Sequence, residues 1–215
     1  MSPRSESATA WHHPACQDDQ ALLAQCALHK SRTTGPGGQH RNKVETAVNL
    51  HHLPSGVLAQ ASERRSVTDN KRVALRRLRL QLAMDVRCPV PVGEIGSSLW
   101  SSRRRGPAKP VQEASDPVLD ALGVKLRPGA ALAAIGAGPK GAPAGRISCS
   151  PDHSDYPSLL AEALDVIADA RWDHRKAAVR LGVSASQLLK LVKDYPPALV
   201  KMNAERAKVG ERPLK

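Results

Sequence analysis

SRTTGPGGQHRNKVETAVNLHHLPSG, residues 31–56, changes character at Val44. Before it lies a stretch in which Gly35, Gly37 and Gly38 fall within four positions; after it, apolar and polar residues alternate. Val44, Thr46, Val48 and Leu50 share one face of an extended chain and Glu45, Ala47, Asn49 and His51 the other, the pattern of a half-buried strand. Leu53, Pro54, Ser55 and Gly56 supply a turn and residues 57–61 a returning strand, so a β-hairpin is expected.

Upstream, residues 26–32 read as a further strand, preceded by a short helix over 20–25 that Asp18 and Asp19 cap. Downstream, Ser66 and Asp69 stand at capping-box spacing and open a helix to about residue 83, with Ala74, Leu75, Leu78 and Leu82 on its apolar stripe. Residues 17–85 therefore form one α+β unit, a small sheet packed with a helix, behind a polar N-terminus at 1–16 that is expected to be disordered.

Charge concentrates on this unit. Ten Lys and Arg against three Asp and Glu give residues 31–84 a net +7, more than half of the +12 carried by all 215 residues. Such an excess favours a polyanionic partner, because bound cations release counterions from phosphates. No eighteen-residue apolar run or secretory leader pattern is present, and a cytoplasmic protein is expected. Cys16, Cys26, Cys88 and Cys149 lack the short paired spacing of zinc ligands, so free thiols, no metal and no cofactor are expected.

The remainder differs in composition. Residues 86–150 are rich in Pro, Gly and Ala, with a basic cluster at Arg103, Arg104 and Arg105, and read mostly as linker or insertion, with a brief helix over 116–122. Residues 151–215 read as an α-helical module. A helix opens at Tyr156 and Pro157, and HRKAAVRLGVSASQLLKLVKDY (174–195) has a break at Gly182 in the manner of a helix-turn-helix; a last helix covers 198–208. His12–His13 and His51–His52 are expected as surface or strand residues.

Gly37-Gly38-Gln39 by itself reads as a flexible turn, but its context does not. SRTTGPGGQHRNKVETAVNLHHLPSG followed by SERRSVTDNKRVALRRLRLQL (62–82) resembles the catalytic domain of bacterial class I peptide chain release factors and of the related ribosome-rescue hydrolases. The resemblance implies hydrolysis of the peptidyl-tRNA ester in the large ribosomal subunit. Gly37 and Gly38 would shape the loop; the backbone N–H of Gln39 would stabilise developing negative charge, and its side chain would position water. It also implies a glutamine methyltransferase acting on Gln39.

The residues suit that chemistry. Glycines permit positive φ and close approach of backbone to RNA, and no Ser/His/Asp set or carboxylate pair lies nearby to supply a protein base. Arg32, Gly35, His40, Arg41, Asn42 and Lys43 flank the motif as RNA contacts. About 34 residues precede Gly35, too few for a codon-recognition domain, so codon-independent release on stalled ribosomes by a monomer is expected. The tail, with Lys201, Arg206, Lys208, Arg212 and Lys215 against Glu205 and Glu211, is only moderately basic for a rescue hydrolase. Two other readings stay open: a ribosome- or RNA-binding protein without hydrolysis, and a nucleic-acid-binding regulator acting through the C-terminal helices.

Overall fold

The computed structural model describes residues 13–32, 45–90, 96–106 and 145–215. A 3-10 turn at Pro14–Cys16 leads into α1 (Asp19–Ala24), where the Asp18 carboxylate accepts from the Ala21 amide at 2.8 Å. Three antiparallel strands follow in spatial order β1 (Cys26–Ser31), β2 (Ala47–His52) and β3 (Leu58–Ala61). β2 is central: Ser31 opposes Ala47 and Cys26 opposes His52 on one side, while Val48 opposes Ala61 on the other. Val48 and Leu50 are fully buried, as the alternation predicts; Ala47 is buried too, although it belongs to the opposite set.

α2 (Val67–Asp85) packs on β2 and β3. Its N-cap is Ser66, whose hydroxyl accepts from the Asp69 amide at 3.4 Å, the arrangement the spacing predicts. Ala74, Leu75, Leu78 and Leu82 are buried as expected. α2 also packs on α4 (Tyr156–Asp169), so one apolar core runs from Val48 and Leu50 of the sheet through Leu78 and Leu82 to Leu159, Leu160 and Ile167.

The segment between the two units contributes structure that its composition does not announce. α3 (Ser98–Arg103) runs into β4 (Arg104–Arg105), which pairs antiparallel with β5 (Arg146–Ile147). Trp100 is buried and donates from its indole to the Leu181 carbonyl at 3.1 Å. Helices α5 (His174–Arg180), α6 (Ala185–Lys193) and α7 (Pro196–Lys208) complete the chain. Between α5 and α6, Gly182 has φ +65°, the left-handed value a helix end requires, and a β-carbon there would lie 2.1 Å from the Arg104 guanidinium. The expected helix over 116–122 lies outside the described residues.

Candidate functional site

The glycine-rich stretch runs between two feet that the sheet holds side by side. β1 ends at Ser31 and β2 begins at Ala47, directly opposite. The Asn49 amide donates to the Ser31 hydroxyl at 3.1 Å, and Arg32 and Glu45 close the base with an exposed ion pair at 3.2 Å. Arg32 therefore sits at the loop base as the sequence suggests, with its charge partly matched by Glu45. Gly35, Gly37, Gly38, Gln39, His40, Arg41, Asn42 and Lys43 lie outside the described residues.

One buried side chain secures the returning foot. Asn70, in the first turn of α2, donates to the Thr46 carbonyl at 2.7 Å and to the Arg64 carbonyl at 2.9 Å, and it accepts from the Arg64 amide at 2.8 Å. Its side chain is wholly buried, so the amide's own donors and acceptor are satisfied by these backbone groups. The same three bonds carry the Arg64–Arg65 turn to the loop base. Lys30, Arg64 and Arg65 are exposed there and form no ion pair with a described residue, unlike Arg72 and Arg77, which face Asp69 and Glu63. Asn70, Arg64 and Arg65 escape the sequence reading, although the ERR of SERRS within the resembling stretch was the available signal.

Among the described residues, the other titratable clusters are engaged in the fold. His13, Cys88 and Asp165 bring one nitrogen, one sulfur and one oxygen within 4.8 Å of one another. The Arg87 guanidinium occupies Asp165 at 2.9 Å, however, and both ring nitrogens of His13 already serve backbone: Nδ1 accepts from the Ala15 amide and Nε2 reaches the Val86 carbonyl at 3.3 Å. The Arg87 guanidinium beside Asp165 and a His already bonded at both nitrogens suit an internal tie better than a metal site. His13 is thus a buried residue, contrary to its expected surface position, whereas His51 and His52 do lie in β2.

Glu162 is likewise buried and accepts from the amide and hydroxyl of Ser97 at 2.6 and 2.7 Å; burial pushes its carboxyl pKa up. Burial raises the thiols as well, Cys16 to about 12, which disfavours the thiolate form that acts as nucleophile. The C-terminal cations are largely engaged in the fold. Arg206 is buried against the Trp172 and Arg212 carbonyls, Lys201 pairs with Asp85, and Lys208 with Glu205. No described helix is long and apolar enough to cross a membrane.

A match to the RF-1 domain family covers residues 23–88, the sheet, α2 and the glycine-rich stretch between the two feet. Peptide chain release factor 1 of Rhodospirillum rubrum is 41% identical over 81 residues, 34% of this chain and 23% of that protein. Peptide chain release factor 2 of Haemophilus ducreyi is 37% identical over 78 residues, 35% and 21% of the two chains. That of Variovorax paradoxus is 47% identical over 51 residues, 24% and 14%. The chain thus spans less than a quarter of the length of these curated relatives. Residues 23–88 match an RF-1 domain, and over this stretch the chain is similar to class I peptide chain release factors.

Proposed function

We propose that this protein is a cytoplasmic factor that releases nascent peptides by hydrolysing the peptidyl-tRNA ester on the ribosome, without reading a stop codon. The observation that carries the reading is the RF-1 match over residues 23–88, which takes in Gly37, Gly38 and Gln39. In this reading the backbone N–H of Gln39 donates to the oxyanion or leaving oxygen and its side chain positions the attacking water. A donor aimed at developing charge in a water-poor site contributes about 3–4 kcal/mol to the transition state. Its backbone origin matters: a glycine-flanked peptide group can enter a pocket that a side chain would fill.

Two features around the motif support the reading. Hydrogen bonds of Asn49 to Ser31 and of Asn70 to Thr46 tie down the ends of the stretch, so entry into a catalytic pocket costs less ordering at its base. Lys30, Arg64 and Arg65 add cationic groups at that base to the ones the sequence offers between the feet, where Gly35, His40, Arg41, Asn42 and Lys43 are proposed to meet large-subunit RNA. Gln39 is proposed as the substrate of a glutamine methyltransferase, and the factor as a monomer.

The codon-independent part is tested by peptide release from ribosomes halted on truncated mRNA and from ribosomes with a stop codon in the A site. Release from the truncated complex at a rate equal to or above that at the stop codon is expected. Release confined to the stop-codon complex would contradict it.

A further inference from the structure

β4 and β5 set Arg105 directly opposite Arg146 on a two-stranded ribbon. Both are exposed, and Arg104 is exposed beside them, while Ile147 enters the core. Among the described residues Arg103 pairs with Asp155 and Arg180 with Asp169, and no ion pair includes Arg104, Arg105 or Arg146. Like charges directly opposed on a ribbon destabilise it. A ribbon that keeps two guanidinium groups opposed and unmatched by a described carboxylate is relieved by an anion lying across it.

The ribbon is also held in place. The Gly145 amide donates to the Gly182 carbonyl at 3.1 Å, and the Ser184 amide donates to the Gly145 carbonyl at 3.3 Å, so the ribbon is joined to the turn between α5 and α6. From Arg146 the chain alternates strictly: Ser148 and Ser150 face outward, Ile147 and Cys149 inward. Ser148 and Ser150 line a groove of about 320 Å3 that Gln187, Lys190 and Leu191 of α6 and the following Asp194 also line. Lys190 and Lys193 make no ion pair with a described residue. The surface thus runs from opposed arginines to hydroxyls, an amide and a lysine. These are the groups that contact phosphodiester oxygens, with guanidinium groups binding them two-pronged.

We propose that the arginine ribbon, the strand end at Ser148–Ser150 and α6 form a second RNA-binding face, which grips the phosphate backbone of structured RNA independently of the glycine-rich loop. The face itself follows from the geometry; the choice of RNA over another polyanion rests on the peptide-release reading.

The test uses the full chain and a fluorescein-labelled RNA hairpin of about twenty base pairs, followed by anisotropy across a potassium chloride series. Arg105→Gln/Arg146→Gln should weaken binding at least tenfold near 0.1 M salt. It should also flatten the slope of log K against log salt by about 0.9 for each phosphate contact removed, taking the duplex value. Lys190→Gln/Ser148→Ala, which leaves the ribbon intact, should weaken binding severalfold. Unchanged affinity and slope in both double variants would overturn the proposal, as would tighter binding to an identical DNA duplex or to phosphatidylserine vesicles than to the hairpin. Gln39→Pro should leave hairpin binding untouched, so loss of release with binding intact, or the reverse, tells the failure of one reading from the failure of the other.

Discussion

Asn70 donates to Thr46 and exchanges two hydrogen bonds with the Arg64 backbone, so removing its buried amide leaves three backbone groups at the foot of the loop without that partner. Asn70→Ala is expected to lower unfolding free energy by about 2–4 kcal/mol in urea titration, given about 1–3 kcal/mol for each buried group left without a partner. A loss below about 0.5 kcal/mol would mean that water or another group takes its place. His13 makes a residue-level prediction about pH. Its Nδ1 must stay unprotonated to accept from Ala15, and burial holds its pKa below the ordinary 6.5; His174, buried with its Nδ1 unpartnered, is lowered for the same reason.

A lowered folded-state pKa means the unfolded chain binds protons first, so this stability is present above about 6.5 and lost as pH falls toward the folded-state value. The urea midpoint should drop between pH 7.5 and 6, and His13→Gln should reduce that drop; an unchanged slope in the variant would refute the assignment. The sequence offered little warning of either residue. Asn70 lies in a helix beside the basic residues Lys71 and Arg72, and a His pair near a polar N-terminus resembles surface. Burial of a polar group depends on a distant partner, and local pattern carries no trace of it.

At the scale of elements, legibility followed length and periodicity. β2, β3 and α2 are read directly because alternation, the Pro54–Gly56 turn and the Ser66 cap are local signals. β4 and β5 hold two residues each and are separated in sequence by residues 106–145; two residues have no period. Besides the Gly145 backbone bonds, the ribbon is supported by Trp100 of α3, the helix that runs into β4; Trp100 is buried and bonded to the Leu181 carbonyl. Trp100→Ala should cost about 3–5 kcal/mol through the cavity left behind, checked by urea titration. Hairpin binding should weaken along with it, because the ribbon loses its support. A stable variant with full RNA affinity would show that the ribbon stands without Trp100.

For the whole molecule, sequence composition suggests two units with a linker, whereas a single apolar core continues from the sheet through α2 into α4. Arg76 reaches the Pro151 carbonyl and Asp152, Arg87 reaches Asp165, and Lys201 pairs with Asp85, all across the same boundary. Such long-range packing is set by shape and is not encoded in any one window of residues. Deleting residues 151–215 should therefore destabilise the RF-1 domain by on the order of 3 kcal/mol or more, the burial of one or two apolar side chains. A truncated chain with the full chain's urea midpoint would contradict the shared core.

The central claim concerns the bond that is cut, and the glycine-rich motif bears on it most directly. Release of labelled peptide from ribosomes halted on truncated mRNA should be compared for the wild-type chain, Gly38→Ala and Gln39→Pro, the last of which deletes the backbone N–H itself. Both variants should bind ribosomes as the wild type does and release peptide about 100-fold to 1000-fold more slowly, the usual consequence of losing one oxyanion donor. Equal release rates in all three proteins would contradict the account.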